Sequence, residues 1–432
     1  MAIREAPTQD RAVESTLDFL QTLLGDGRAD GLAVQLWDGT RWPPAEDRVA
    51  RVTLTLQHPG ALRSMFWPTD DLAMGEAYIF DDFDIQGSME AVFPIVDALL
   101  ADEGLGLAGK LHQAKRLFSL PARRRGPTQF RHPQLHGRTH SVERDRLAVS
   151  YHYDQSNEFF AQFLDSRMVY SCAYFASPDE GIEAAQERKL EYICRKLRLK
   201  PGERLLDIGC GWGGLIIYAA QHYGVDATGI TLSGRQAELA NERIGQAGLT
   251  DRCRVELRDY REVDGAQSFD KLVSIGMVEH VGEAQLPTYF RQAWRLLRPG
   301  GVFLNHGICR AFHQPLQRGR SFVAKYVWPD GELETISTTL KAAEQSGFEV
   351  RDVENLREHY ALTLREWVRR LEGHSEQARS ATDEVTYRIW RLYMAGSAYN
   401  FTKGNMGIFQ SLLAKPLEGE SGLPLARADW YA

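Results

Sequence analysis

The chain has 432 residues, room for more than one core at the usual ~100–200 residues per domain. Its formal charge of −7 argues against a general nucleic-acid binder, and no apolar stretch approaches the ~20 residues that span a bilayer. The N-terminus MAIREAPTQDRAVESTL has no apolar signal core, and five scattered cysteines (Cys172, Cys194, Cys210, Cys253, Cys309) without metal spacing fit reduced thiols in a cytosolic protein that needs no metal.

Residues 1–118 read as a small α+β domain. RAVESTLDFLQTLLG carries apolar residues at helical spacing and stops at Gly25. LAVQLWDG and RVTLTLQ read as strands, the first ending in an Asp-Gly turn. GALRSMF and MEAVFPIVDALL read as helices, with apolar residues enough to line a small core or a lipid-sized groove. The following GKLHQAKRLFSLPARRRGPTQFRHPQLHGRTH contains Lys110, Lys115, Arg116, Arg123, Arg124, Arg125, Arg131 and Arg138 and no acid, with Leu111, Leu117, Phe118 and Leu120 interleaved. It fits a solvated helix and a proline-marked linker over 119–146, or a basic amphipathic stretch that meets anionic lipid headgroups.

From about residue 200 strand and helix alternate. ERLLDIGCG, VDATGITLS, RVELRDY, DKLVSIGMV and GGVFLNHGI read as strands, separated by the helices GLIIYAAQHYG, GRQAELANERIGQAG and LPTYFRQAWRLLRPG; FEVRDVENL and MGIFQSLLAK add two more strands. Repeated βα units imply a parallel sheet covered by helices on both faces. Long helical stretches near 313–345 and 362–400 exceed what such a domain needs and predict a lid or pocket wall.

LDIGCGWGG places Asp207, Gly209, Gly211, Gly213 and Gly214 at the first strand-to-helix turn. That spacing alone is weak evidence for a dinucleotide. Three details favour S-adenosylmethionine. Asp207 can face a cationic amino-acid group. The second strand leads into TLSGRQ, with Thr231, Ser233 and Gln236, rather than the acid expected for a ribose. Asp259 and Tyr260 can frame an adenine edge. The segment YHYDQSNEFFAQFLDSRMVYSCAYF is dense in aromatics, mostly core by this reading, although aromatic faces near a reacting methyl cation exclude water and stabilise positive charge. Cys172 has no base beside it in sequence and reads as a buried, inert thiol. In MVEHVG, Glu279 and His280 end a strand; a general base, a metal site and a helix cap all remain open.

Taken together, HYDQSNEFFAQFLDSRMVYSCAYF, LDIGCGWGG, TLSGRQ, MVEHVG, FLNHGI, FVAKYVWPDGEL, EHYALTLREWVRRL and RIWRLYMAGSAYNFTKGNMGIFQSLLAKP resemble the cyclopropane-fatty-acyl-phospholipid synthase family over about residues 150–416. MGEAYIFDDFDIQGSMEAVFPIV resembles the N-terminal lipid-binding domain of its full-length bacterial members. Small-molecule N-methyltransferases of similar sequence keep the Glu-His pair but lack that domain. The resemblance implies a Rossmann-like class I methyltransferase fold over 147–432, with a seven-stranded, mostly parallel sheet and a helical lid. It implies methylene addition from S-adenosylmethionine across a cis double bond of a phospholipid acyl chain, with bound bicarbonate as proton acceptor. The family's bicarbonate positions carry over to Cys172, Glu279, His306, Ile308 and Tyr360. Its cofactor contacts carry over to Tyr170, Ser171, Leu206, Asp207, Ile208, Gly209, Cys210, Gly211, Trp212, Gly213, Gly214, Thr231, Leu232, Ser233, Gln236, Asp259 and Tyr260. Met277 and Val278 stand where many relatives carry a Phe before the acid, which can reshape the alkene pocket. The implied partners are a phospholipid membrane surface with unsaturated acyl chains, and a second copy of the chain; the implied location is the inner face of the cell membrane. Two other readings stand beside this one: the same methyl transfer giving a methylene- or methyl-branched chain, and an inactive lipid-binding membrane-surface protein.

Overall fold

The computed structural model describes residues 8–24, 31–43, 50–100, 114–122, 135–153, 155–316 and 321–431. Its packing gathers the chain into two compact units: Met1–His132 with Gly319–Val327 and Asp383–Tyr399, and Pro133–Arg318 with Trp328–Thr382 and Asn400–Ala432. Lys110, Arg123, Arg124, Arg125 and Arg131 of the basic stretch lie outside the described residues.

The first unit has a four-stranded sheet of β1 (Leu32–Gln35), β2 (Arg41–Trp42), β3 (Val52–Leu56) and β4 (Phe83–Gly87), ordered β2-β1-β3-β4. The Asp38-Gly39 turn returns β1 into β2, with Gly39 at φ 90° and Leu36 N–H donating to the Thr40 carbonyl at 2.8 Å. Helices α1 (Thr8–Leu24), α2 (Ala61–Phe66), α3 (Asp71–Ile79) and α4 (Phe93–Leu100) complete the N-terminal part. The strand β4 was not anticipated: FDIQG is too polar to signal one, and its pairing with β3, Ile85 against Leu54 and Phe83 against Leu56, defines it. Two segments distant in sequence complete this unit. Arg388 donates to the Tyr78 carbonyl (2.9 Å), and Arg391 to the Tyr78 hydroxyl (2.9 Å). The Phe322 ring lies where a Cβ on Gly75 would stand, at 2.3 Å, so α3 needs glycine there. Part of the basic stretch is folded into the same unit: Leu117 and Leu120 are buried, and Arg116 pairs with Asp18.

The second unit holds the seven-stranded sheet, ordered β10-β11-β9-β8-β5-β6-β7. Its strands are β5 (Arg204–Ile208), β6 (Asp226–Thr231), β7 (Cys253–Leu257), β8 (Phe269–Ile275), β9 (Leu297–Arg310), β10 (Glu349–Asn355) and β11 (Met406–Ala414). All neighbours run parallel except β11, antiparallel to both β9 and β10. Among the helices are α5 (Val142–Tyr153), α6 (Ile182–Leu197), α7 (Gly214–Tyr223), α8 (Gly234–Gln246), α9 (Leu286–Leu296) and α10 (Arg357–Gly373). This is the Rossmann-like class I methyltransferase fold. The chain leaves β5 for β6 on one side and β8 lies on the other, so the turn after β5 sits at the switch point, where such sheets bind ligands. The stretch 313–345 is not continuous helix. Its described residues are helical at Phe322–Tyr326 and Ile336–Gln345, separated by a turn through Pro329, Asp330 (φ 61°) and Gly331. Over 362–400 three helices run, Arg357–Gly373, Ser375–Ala381 and Glu384–Lys403.

Glycine is required at two kinds of place around the switch point. Gly209, Gly211 and Gly213 take φ of 85°, 54° and 81°, a left-handed path that side chains resist. Gly229 on β6 has no such φ, but a Cβ there would stand 2.6 Å from the Cys210 sulfur and 2.9 Å from Ile216. The turn thus packs directly on β6. Gly229→Ala should lower stability by about 1–3 kcal/mol through overpacking and weaken cofactor binding by displacing the turn. Thermal melts and calorimetric titration check this; a variant with unchanged Tm and affinity would contradict it.

Candidate active site

A cavity opens at the carboxyl ends of β5, β6 and β8. Of the residues expected at a cofactor, Tyr170, Ser171, Asp207, Ile208, Gly209, Cys210, Gly211, Trp212, Gly214, Thr231, Leu232, Gln236, Asp259 and Tyr260 line it. Leu206, Gly213 and Ser233 do not. Leu206 faces the core, Gly213 starts α7, and Ser233 caps α8 by accepting from Gln236 N–H at 3.3 Å. Thr231 donates to the Gln236 side-chain oxygen at 2.7 Å, which fixes that amide at the wall. Asp259 is engaged by Arg261, whose Nε and Nη2 lie 2.8 and 2.7 Å from its two oxygens. Arg261 also reaches Asp145 (2.8 Å) and the His140 carbonyl (3.0 Å), so it ties α5 to the rim.

The cavity floor carries buried charge. Asp207 is buried, with no hydrogen-bond partner at Oδ1 among the described residues, and burial pushes it up to about 7 against the pull of Lys189. Lys189 is wholly buried and donates to Ser171 Oγ at 2.8 Å; burial lowers it to about 8, while Asp165, Cys172 and Asp207 act to raise it. Gln186, one turn earlier on α6, donates to the Val169 and Ser171 carbonyls at 3.3 and 2.9 Å. One helix face therefore pins the Val169–Ser171 segment. In the aromatic block Phe159, Phe160 and Phe163 are core, whereas Tyr153 and Tyr170 line the cavity.

Sequence reasoning missed several lining residues: Asp145 and Val149 on α5, then Lys189 and Arg261; Tyr153, Met277 and His280, noted in the sequence without a cofactor role, also line it. Asp145 falls inside the stretch read as linker. A signal for Lys189 existed: it shares the apolar stripe of α6 with Ile193 and Leu197, where a lysine is out of place. His280 packs near Trp328 (4.8 Å between rings), and burial lowers it to about 4.

None of the five expected catalytic positions lines this cavity; they form a second set joined through the sheet. Ile308 N–H donates to Glu279 Oε1 at 2.7 Å. Glu279 Oε2 and His306 Nε2 are both buried, with no hydrogen-bond partner among the described residues. On β11, Ile408 stands opposite Ile308 and accepts from Leu356 N–H at 2.8 Å. The Leu356 carbonyl accepts from Tyr360 N–H (3.1 Å) and lies 3.8 Å from the Cys172 sulfur. Gly307 lets this happen: a Cβ there would meet Val278 at 2.2 Å, one residue before Glu279. Burial pushes Glu279 up to about 7 against its bond from Ile308, pushes the Cys172 thiol well above its ordinary value, and holds His306 far below its own. The charge of Lys189 reaches both Cys172 and His306, which links the two sets.

The sequence model of a family described as mycolic acid cyclopropane synthetase matches residues 140–411. The chain belongs to this family. It is a methyltransferase. It is 38% identical over 405 residues to a probable fatty acid methyltransferase of Pseudomonas putida, covering 93% of this chain and 96% of that one. It is 36% identical over 287 residues to the cyclopropane-fatty-acyl-phospholipid synthase of Escherichia coli K12, covering 66% and 72%. Among solved structures, cyclopropane synthase MmaA2 from Mycobacterium tuberculosis superposes with a TM-score of 0.59 at 34% identity, over 62% of this chain and 97% of that one. Mycolic acid cyclopropane synthase CmaA1, complexed with SAH and CTAB, gives 0.58 at 34% identity over the same shares.

The raised carboxyls of this cyclopropane synthetase relative make its stability pH-dependent. Glu279 and Asp207 titrate near 7 when folded but from ordinary values of 4.5 and 3.8 otherwise. The folded state then holds more protons between those limits, so these two groups lower stability as pH rises through the window, by about 1.4 kcal/mol per pH unit per group at most. Buried, neutral His280 and His306 act in the opposite sense below about 6.5. In denaturant titrations of the ligand-free protein from pH 5 to 8, the wild type should therefore lose stability relative to Glu279→Gln as pH rises. Equal slopes would refute the buried, raised carboxyl.

Proposed function

We propose that this protein transfers the methyl group of S-adenosylmethionine to a cis double bond of an unsaturated phospholipid acyl chain and closes a cyclopropane ring. One observation carries the reading: a buried carboxylate oxygen, Glu279 Oε2, and a buried imidazole nitrogen, His306 Nε2, both without hydrogen-bond partners among the described residues, on the fold of this family. The glycine turn lets a ligand approach the backbone, Asp207 Oδ1 can accept from a cationic amino group, and Gln236 presents its amide, so the cavity suits S-adenosylmethionine.

An alkene is a weak nucleophile, so its alignment with the sulfonium supplies much of the rate. Methyl transfer leaves a carbocation on the chain, which water would trap. Packed rings limit water here: Tyr170 stands 5.1 Å from Trp367, and Phe160 4.9 Å from Trp212. One proton must then leave the new methyl group as the ring closes. The Glu279 and His306 atoms fit bicarbonate, an anion with one O–H, and when bound it would supply the proton acceptor. Glu279 Oε2 would accept that O–H, and His306 would face an anionic oxygen. Tyr360, packed on Trp367 and Phe401, and the Cys172 thiol would close the pocket.

A second reading has support of its own. The Pseudomonas putida relative, matched over nearly its whole length, is named a probable fatty acid methyltransferase. Loss of a different proton gives a branched chain of the same mass. Incubation with S-adenosylmethionine and unsaturated phospholipid separates the two by NMR, since ring protons resonate upfield; olefinic methylene signals without ring signals would overturn cyclopropanation. Glu279→Gln should lower kcat by at least about a hundredfold with little change in KM for S-adenosylmethionine. A large KM effect with unchanged kcat would contradict its role.

The substrate places the protein at the inner face of the cell membrane as a peripheral protein, and a homodimer would let one catalytic unit hold the membrane while another reacts. None of the described helices is long and apolar enough to cross a membrane. Arg123, Arg124 and Arg125 changed together to Ala should weaken binding to anionic vesicles in a salt-sensitive way. Unchanged sedimentation with vesicles at low salt would reject this.

A further inference from the structure

His306 does not choose its own tautomer. It stands on β9 directly opposite Gln410 on β11. Gln410 in turn meets Lys196, a buried lysine near the end of α6. Lys196 Nζ lies 2.9 Å from Gln410 Oε1 and 2.5 Å from Glu354 Oε2, with Asp352 at 3.7 Å. Gln410 Nε2 lies 3.3 Å from His306 Nδ1.

The donor and acceptor chemistry of this row permits one arrangement. An ammonium has donors only, so the amide must turn its oxygen to Lys196. Its NH2 then faces His306 and needs an acceptor there. Nδ1 must therefore carry a lone pair, and the single proton of a neutral imidazole falls on Nε2. Reversing the amide would set two donor groups against each other at Lys196 in a buried site, at the cost of an unmade hydrogen bond. Burial and the charges of Lys189 and Lys196 keep the ring neutral. Burial lowers Lys196 from its ordinary value, against the opposing pull of Glu354 and Asp352, and its Nζ is held 2.5 Å from Glu354 Oε2. The row continues outward: Glu354 also accepts from Tyr192 (2.8 Å) and Tyr174 (3.4 Å).

We propose that Lys196 and Gln410 are positioning residues that lock His306 as an Nε2–H donor, directed at an anionic oxygen in the catalytic set. Neither was singled out from the sequence, and neither lines the cofactor cavity. The role of the donor rests on the function proposed above; the tautomer itself does not, and it is read in the ligand-free protein.

The test is 15N NMR of histidine-labelled protein, with the His306 signals assigned by their loss in His306→Gln. The wild type should show a pyridine-type Nδ1 and a pyrrole-type Nε2. Gln410→Glu, nearly isosteric, offers acceptors to both neighbours, so Nδ1 should gain a proton. Lys196→Met frees the amide, and both tautomers should appear. Turnover in Gln410→Glu should fall on the order of a hundredfold, as for loss of one preorganised donor, while KM for S-adenosylmethionine stays within about twofold. A pyrrole-type Nδ1 in the wild type, or a His306 spectrum unmoved by Gln410→Glu, would overturn the proposal. Because the wild-type tautomer is decisive alone, the test survives a variant that fails to fold. A normal tautomer with no cyclopropane product would instead count against the proposed function.

Discussion

The catalytic unit is organised around a charge in a place that disfavours charge. The Lys189 ammonium is buried, and an isolated ion there would be strongly disfavoured without partners. It persists because the chain surrounds it. Ser171 Oγ accepts a hydrogen bond from it at 2.8 Å, and Asp165 and Asp207 lie near enough to favour its charged form. Those partners come from the segment before α6 and from the end of β5. Satisfying one lysine therefore fixes the cofactor-side loop against the sheet. Cys172 follows Ser171 directly, and so the same bond sets where the second, catalytic group of residues begins.

The glycine turn acts on the other side of the same point. Its left-handed path brings backbone to the cavity, and Gly229 lets Cys210 settle on β6 without a spacer. Gly307 does the equivalent on β9 and lets Val278, and with it Glu279, approach the strand. Two missing side chains and one buried cation thus define where cofactor and reacting carbon can meet. The rest of the sheet is scaffold, held by ordinary apolar packing of both faces.

Most of this architecture was legible in the sequence because it is periodic. Most strands of the large sheet announce themselves as apolar runs bounded by glycine or charge, whereas β10 (EVRDVEN) is largely charged; Gly224 closes α7. What stayed hidden is polar and non-local. The strand β4 reads as loop until Leu54 and Leu56 pair with it. The grouping of Asp383–Tyr399 with the N-terminal residues depends on arginines meeting Tyr78 some three hundred positions away, which no local pattern shows. At the site, the place of Asp207 beside the glycine turn was legible, whereas a role for Glu279 came only with the family resemblance. Lys189, Lys196 and Gln410 act through partners on other elements, and their spacing in sequence carries no trace of those bonds. Lysine on the buried stripe of α6 was the one local anomaly available.

Seen as a group, the catalytic residues share a property that no single one displays. A reaction through a carbocation, as proposed, fails if any nearby lone pair attacks the cation. The groups gathered here are those that would attack in another enzyme: a thiol, an imidazole, a carboxylate and an amine. Each is restrained by a physical cause. Burial keeps the Cys172 thiol protonated. The His306 lone pair is directed to Gln410 in the tautomer inferred above, leaving an N–H toward the site. One Glu279 oxygen accepts from Ile308, and the other is directed at the O–H of bicarbonate in the proposed reaction. Lys189 is held by Ser171 and favoured in its charged form by two carboxylates. The dense ring packing around Tyr170 and Trp367 supplies the complementary half, polarisable surface that stabilises positive charge without bonding to it. On this account the acidities of the site are tuned less to create a strong base than to prevent the wrong one from forming.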